Sequence, residues 1–216
     1  MHVPTSLAVV TMAAALTVVP AGTAAGQDPT AYAYFLPNRP GRVVATWDRA
    51  VPVTYVIATR QAQPRMFADI KEAFRRARVQ TGLRFRYGGR AATSAPLGTP
   101  EHPVVTVDFG TADNHPRLRK YGGVVSAVGG PLLLSDGEST VFTGGQITID
   151  VRITRAIRLG FRHCRIGATL MHEIGHVLGL DHVRAPGQLM TPCRGRGNVS
   201  GWFHDGDLAG LRRLVR

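Results

Sequence analysis

The sequence predicts one α+β domain whose N-terminal part is built like an α/β protein. Three observations point there. Residues 51–57 form a β-branched, alternating run, the pattern of a half-buried strand. Phe67, Ile70, Ala73, Phe74 and Ala77 then recur at helical spacing, and residues 83–87 alternate again, giving the strand–helix–strand unit of a parallel sheet. Far downstream, a mostly apolar helical stretch carries His172, Glu173 and His176, outside any such repeat.

In chain order, residues 7–19 are almost wholly apolar and small residues follow to Ala25. Residues 1–25 therefore read as a secretory signal peptide, since the apolar run falls short of the about 20 residues that span a bilayer. The protein is expected to be secreted and extracellular, with no stable membrane insertion once the leader is removed. Residues 26–41 are rich in Pro, Gly and aromatic side chains and lack a period, so they read as an extended arm or short propeptide. Residues 42–216 are long enough for one domain.

Within that domain, Pro64 suits the first position of the long helix, and Gly82 suits its end. Arg65, Lys71, Arg75, Arg76 and Arg78 fall mostly on its polar face. Residues 88–103 read as a loop, 104–109 and 146–150 as strands, and 135–139 as a turn. The segment 122–134 mixes apolar residues with glycines. Residues 205–216 predict a short closing helix, with Asp205 as candidate N-cap and Leu208, Leu211 and Leu214 on one stripe.

Charge is skewed. The net charge is +12, no charged side chain lies in residues 1–25, and only Lys71 and Lys120 among the 26 basic residues are lysine. A compositional bias toward arginine accounts for this as well as attraction to an anionic cell-surface polymer or acidic substrates does. The arginines are scattered and match no recognition motif, so a nucleic-acid partner is not expected.

His172 and His176 are four apart, which places them one turn apart on one helix face. Two imidazoles so placed can converge on one metal ion. Glu173 lies about 100° around the helix, positioned to reach a water on the metal rather than the metal itself. Gly179 can end the helix in a left-handed conformation, letting the chain turn back with His182 as third ligand. Three nitrogens on Zn²⁺ leave a fourth position open, the arrangement of a catalytic site. On this composition the full spacing arises by chance with odds of roughly two in 100,000, so incidental surface histidines are a poor explanation. The surrounding Ile166, Ala168, Leu170, Ile174, Val177 and Leu178 are apolar, and polar groups among them need partners.

The two cysteines, Cys164 and Cys193, bracket this motif. In an exported protein such a pair suggests a disulfide. Zinc ligation by cysteine is the alternative, although the histidines already supply a complete set.

These residues carry a resemblance. The stretch from Ile166 to Pro192 resembles the matrixin branch of the metzincin zinc peptidases, in a bacterial-type secreted form. The similarity includes Asp181 before the third histidine, and Leu189-Met190-Thr191-Pro192 where that family places its Met-turn. It is weaker over 47–85, including Trp47, and over 203–214. It implies a zincin-like catalytic domain: a twisted mixed sheet, a long helix and an active-site helix, then the Met-turn and a C-terminal helix. It also implies that Met190 forms an apolar floor without ligating, that Asp207 supports the Met-turn, that 194–198 lines a substrate pocket and that the edge strand from 122–134 pairs with substrate. The sequence departs from animal matrixins in two respects. No cysteine precedes Cys164, so cysteine-based latency is not expected, and 116–162 lacks histidine, so no structural zinc is expected. Asp113 and His115 form either half of a metal site or an exposed polar loop, and nothing supports calcium at Asp136 or Glu138.

The expected function is a secreted zinc endopeptidase, monomeric, acting on protein or peptide with one catalytic Zn²⁺ and Glu173 as general base. Two alternatives stand beside it. One is a cell-surface or cell-wall binding protein on a peptidase scaffold, motivated by the charge; the other is a zinc amide hydrolase acting on cell-wall peptide. A general base beside an open zinc site argues against the first.

Overall fold

The computed structural model describes residues 28–216 apart from 36–37, 39–41, 44, 93–97, 136–138, 163 and 194–199. The expected leader, the acidic pair Asp136 and Glu138, and the basic loop after Pro192 lie outside the described residues. The strands are β1 (Ala33–Tyr34), β2 (Val53–Ala58), β3 (Phe85–Ala91), β4 (Val104–Gly110), β5 (Ala127–Ser135), β6 (Thr140–Asp150) and β7 (Leu180–Asp181). The helices are α1 (Phe67–Thr81), α2 (Pro116–Arg119), α3 (Ile166–Val177) and α4 (Asp205–Leu214).

Five strands make one mixed sheet in the order β3-β2-β4-β6-β5. The first four run parallel and β5 is antiparallel to β6, which leaves β5 as an edge. The predicted βαβ unit is β2–α1–β3. A single 3₁₀ turn from Pro64 to Met66 precedes α1, and Gly82 caps the helix with φ +77°. That left-handed conformation suits glycine. Tyr55 of β2 stacks on Phe74 of α1 at 4.0 Å, and Phe74 meets Phe85 of β3 at 5.2 Å.

One expectation needs correction here. The loop expected from residue 88 begins later, because β3 continues to Ala91 through a register irregularity opposite Tyr55–Ile57. Gly88 sits within that stretch, where a Cβ would come 2.6 Å from the Thr54 Cγ2. Two adjacent glycines suggest a break in the strand, but here they let an edge strand bend without ending it.

The central strands β4 and β6 are buried on both faces, as parallel strands usually are. Val105, Val107, Phe109, Ile147 and Ile149 join the hydrophobic core with Ile70 and Phe74 of α1 and Ile174 of α3. On β4 and β6 the alternate residues Thr106, Asp108, Thr148 and Asp150 are also buried, but polar. Leu118 of α2 is fully buried, and His115 just before it reaches Asp108 across that face.

The N-terminal arm is docked. Ala33 and Tyr34 pair antiparallel with Asp181 and Leu180, and the Phe35 N–H donates to the Gly179 carbonyl at 3.0 Å. Trp47 is buried, stacks on Phe142 at 5.0 Å and donates from Nε1 to the Leu178 carbonyl at 3.3 Å. The start of α4 also differs from expectation. His204 is its N-cap and Asp205 its first helical residue, because buried Asp207 closes a capping box with His204. Among the described residues no helix is long and apolar enough to cross a membrane.

Candidate metal and catalytic site

α3 sits under the edge of the sheet because nearly all of its residues are apolar or tightly packed. Ile166, Leu170, Met171, Ile174 and Val177 are buried against α1, β5 and β6. Glycines set its distance from its neighbours. A Cβ at Gly175 would strike the Met190 sulfur, and one at Gly129 of β5 would come 2.9 Å from the Glu173 Cα. Helix and edge strand therefore approach more closely than side chains would allow. Gly179 has φ +104° and turns the chain back after the helix, as expected from the sequence.

That turn brings His172, His176 and His182 together. The Nε2 atoms of His172 and His176 lie 3.0 and 3.1 Å from the Nε2 of His182. The second nitrogens of the first two rings are held by the backbone: His172 Nδ1–H donates to the Leu189 carbonyl at 2.7 Å, and His176 Nδ1–H to the Leu180 carbonyl at 2.9 Å. Those bonds leave the Nε2 lone pairs free to ligate. Burial lowers the pKa of both rings, and for His176 the neighbouring imidazoles lower it further. The neutral form required for metal binding is thereby favoured. Tetrahedral nitrogens at Zn–N distances near 2.05 Å are about 3.3 Å apart, so this trio fits zinc after a small expansion. Among the described residues it is the group of three or more His, Cys, Asp or Glu that could hold a metal ion.

Glu173 is buried beside the trio and its Oε2 accepts the Gly129 N–H at 2.5 Å. Burial raises its pKa, against the Gly129 hydrogen bond and the Arg117 charge, to about 7. A carboxylate in that range can both take and return a proton near neutral pH.

Met190 lies beneath the helix, almost fully buried, with its sulfur against Gly175 between the two helical histidines. Its carbonyl accepts the Val183 N–H at 3.2 Å, tying the turn to the segment that carries His182. Asp207 holds the turn from the other side, through the Leu189 and Met190 N–H groups. Burial raises the Asp207 pKa to about 6 despite those bonds. Cys164 and Cys193 are joined as a disulfide, with Cα atoms 5.9 Å apart, so they are not available as metal ligands.

A model of the matrixin family matches residues 46–215. The chain is a matrixin. Zinc metallopeptidase chemistry comes with that family, and the matched span covers both the sheet and the trio. A search of curated proteins finds no match to the chain.

Other sequence candidates are dispersed in this matrixin. Asp113 faces Arg152 at the exposed surface, 3.0 Å away, whereas His115 pairs with Asp108 at 3.1 Å, so the two do not share a site. Sequence reading missed Gly129 and Arg117 near Glu173. The Gly129-Gly130 pair inside a strand was the available signal, since glycines there mark close backbone approach.

Proposed function

We propose that this matrixin is a secreted endopeptidase with Glu173 as general base and His172, His176 and His182 as ligands of one zinc. The carrying observation is the convergence of three imidazoles, two of them on the helix that also carries the buried Glu173 carboxylate bonded to edge strand β5. Bound there, Zn²⁺ supplies Lewis acidity and lowers the pKa of water to about 7.

The chain's own residues supply the rest. The Leu189 and Leu180 carbonyls orient two of the ligand rings. Glu173 takes the proton of the attacking water and delivers it to the leaving nitrogen. Edge strand β5 offers backbone groups on its free side, and an extended peptide can add to it as a further strand. Peptide bonds well inside a chain fit such an open edge, which supports endopeptidase action. The apolar leader-like segment and the disulfide support an oxidising, extracellular setting.

Incubating purified protein with a diverse peptide library, with and without chelator, tests this reading. Internal cleavages that disappear with chelator and return with zinc are expected. A library left intact by zinc-loaded protein contradicts it, and cleavage of purified cell wall alone would replace it with the amide-hydrolase alternative.

A further inference from the structure

Arg117 approaches the edge strand from the side opposite Glu173. Successive residues of a strand face opposite ways, and Gly129 and Gly130 are successive. Gly129 faces α3 and binds the Glu173 carboxylate, whereas at Gly130 a Cβ would lie 3.4 Å from the Arg117 Nη2. The carboxylate and the guanidinium thus flank the backbone of β5 with no side chain between them.

The guanidinium is held in place. Its Nη1 donates to the Gln146 Oε1 at 3.1 Å, and the Gln146 Nε2 donates to the Asp108 Oδ2 at 3.4 Å. The same Asp108 oxygen lies 3.1 Å from the His115 Nε2. This network fills the polar face of the sheet beneath α2. Burial lowers the Arg117 pKa while Glu173, Tyr121 and Asp108 oppose that shift. In such a poorly hydrated place a positive charge acts across a strand more strongly than it would in water.

We infer that Arg117 is a positioning residue for Glu173: through the Gly129–Gly130 backbone its charge keeps the Glu173 carboxylate seated on the Gly129 N–H and oriented for proton transfer. The inference rests on the proposed general-base role of Glu173. A residue that merely ties α2 to the sheet would act on folding or on zinc retention; a residue acting through Glu173 acts on turnover.

The test is a double-mutant cycle on the zinc-loaded protein, with a quenched fluorescent peptide as substrate and zinc content measured for each variant. Arg117→Met is expected to lower kcat about tenfold, with KM within about twofold and zinc retained. Arg117→Lys, which keeps the charge, is expected to recover most of that loss. In a Glu173→Gln background, Arg117→Met is expected to cost nothing further. Should Arg117→Met fold poorly, Arg117→Gln keeps a donor for Gln146 without the charge and carries the same cycle.

Equal losses in the Lys and Met variants, or the same tenfold loss in the Glu173→Gln background, would place Arg117 in the scaffold and overturn the inference. A rise in KM at constant kcat would assign it to substrate and overturn it equally. A normal rate for Glu173→Gln alone would remove the general-base role and this inference with it, and the cycle separates that failure from failure of Arg117 alone.

Discussion

The carboxylate of Asp207 accepts the backbone N–H of Leu189 at 2.7 Å and that of Met190 at 3.3 Å. A third N–H, from His204, reaches the same carboxylate at 3.0 Å, so one side chain both caps α4 and holds the turn beneath the proposed metal ligands. The Leu189 carbonyl in turn fixes the His172 ring. Support for the ligand set therefore runs from the last helix through the Met190 turn.

Removing that carboxylate leaves three backbone donors unsatisfied, two of them buried. Asp207→Ala is expected to lower stability by about 2–4 kcal/mol and to speed zinc loss, because the turn that orients His172 loosens. Denaturant unfolding and zinc release to a chromogenic chelator measure the two effects. Unchanged zinc release would separate the turn from the metal site.

The disulfide closes a loop with a sequence separation of 29 that contains all three histidines of the trio. Replacing both cysteines by serine is expected to cost roughly 3–4 kcal/mol. Purified zinc-loaded protein should retain peptidase activity at low temperature and lose it at a lower melting temperature. Loss of activity at every temperature would show that the bridge shapes the site as well as stabilising it.

Glu72 supplies a pH test. Hydrogen bonds and charge from Arg75 and Arg76, Arg75 foremost, depress its pKa to about 2 against burial. A depressed carboxylate contributes stability that is fully present above its ordinary value near 4.5 and is lost as pH falls through about 2. Arg76 also lies over the Phe161 ring at 3.7 Å and the Trp202 ring at 4.5 Å, so the pair helps dock the segment before α4. Glu72→Gln should therefore lower the melting temperature at pH 6, by the equivalent of about 1 kcal/mol for a partly exposed pair. The difference from the unaltered protein should shrink as pH falls from 4.5 toward 2. A difference constant with pH would point to packing rather than charge.

Much of this organisation is legible in the sequence because it is local. The spacing of His172, Glu173 and His176 needs only helical periodicity, and Gly179 needs only a left-handed turn. The βαβ unit follows from alternation on either side of an amphipathic helix. What stayed hidden depends on chain segments far apart in sequence. Gly129 and Glu173 are 44 residues apart, and their hydrogen bond exists because an edge strand of glycines lies on the helix. Arg117 and Gln146 are separated by 29 residues and meet only once β6 and the α2 segment are packed together. The N-cap of α4 was misplaced by one residue because Asp207 caps from within the helix, a choice decided by the buried turn it also serves.

The His182 Nε2 faces the Nε2 atoms of His172 and His176 at 3.0 and 3.1 Å, and lone pairs so placed repel when no cation lies between them. Chelating the zinc is therefore expected to lower the melting temperature, and His176→Ala should bind no stoichiometric zinc. Retention of one zinc per chain by a variant lacking two of the three histidines would contradict the ligand assignment.

The most direct test of the central claim is the peptidase rate of Glu173→Gln measured alongside its zinc content. Glutamine keeps the size of the side chain and removes the base. The account predicts one zinc per chain, an unchanged fold and a rate lower by roughly 10²–10⁴. A near-normal rate with zinc retained would contradict it, as would loss of zinc together with the rate.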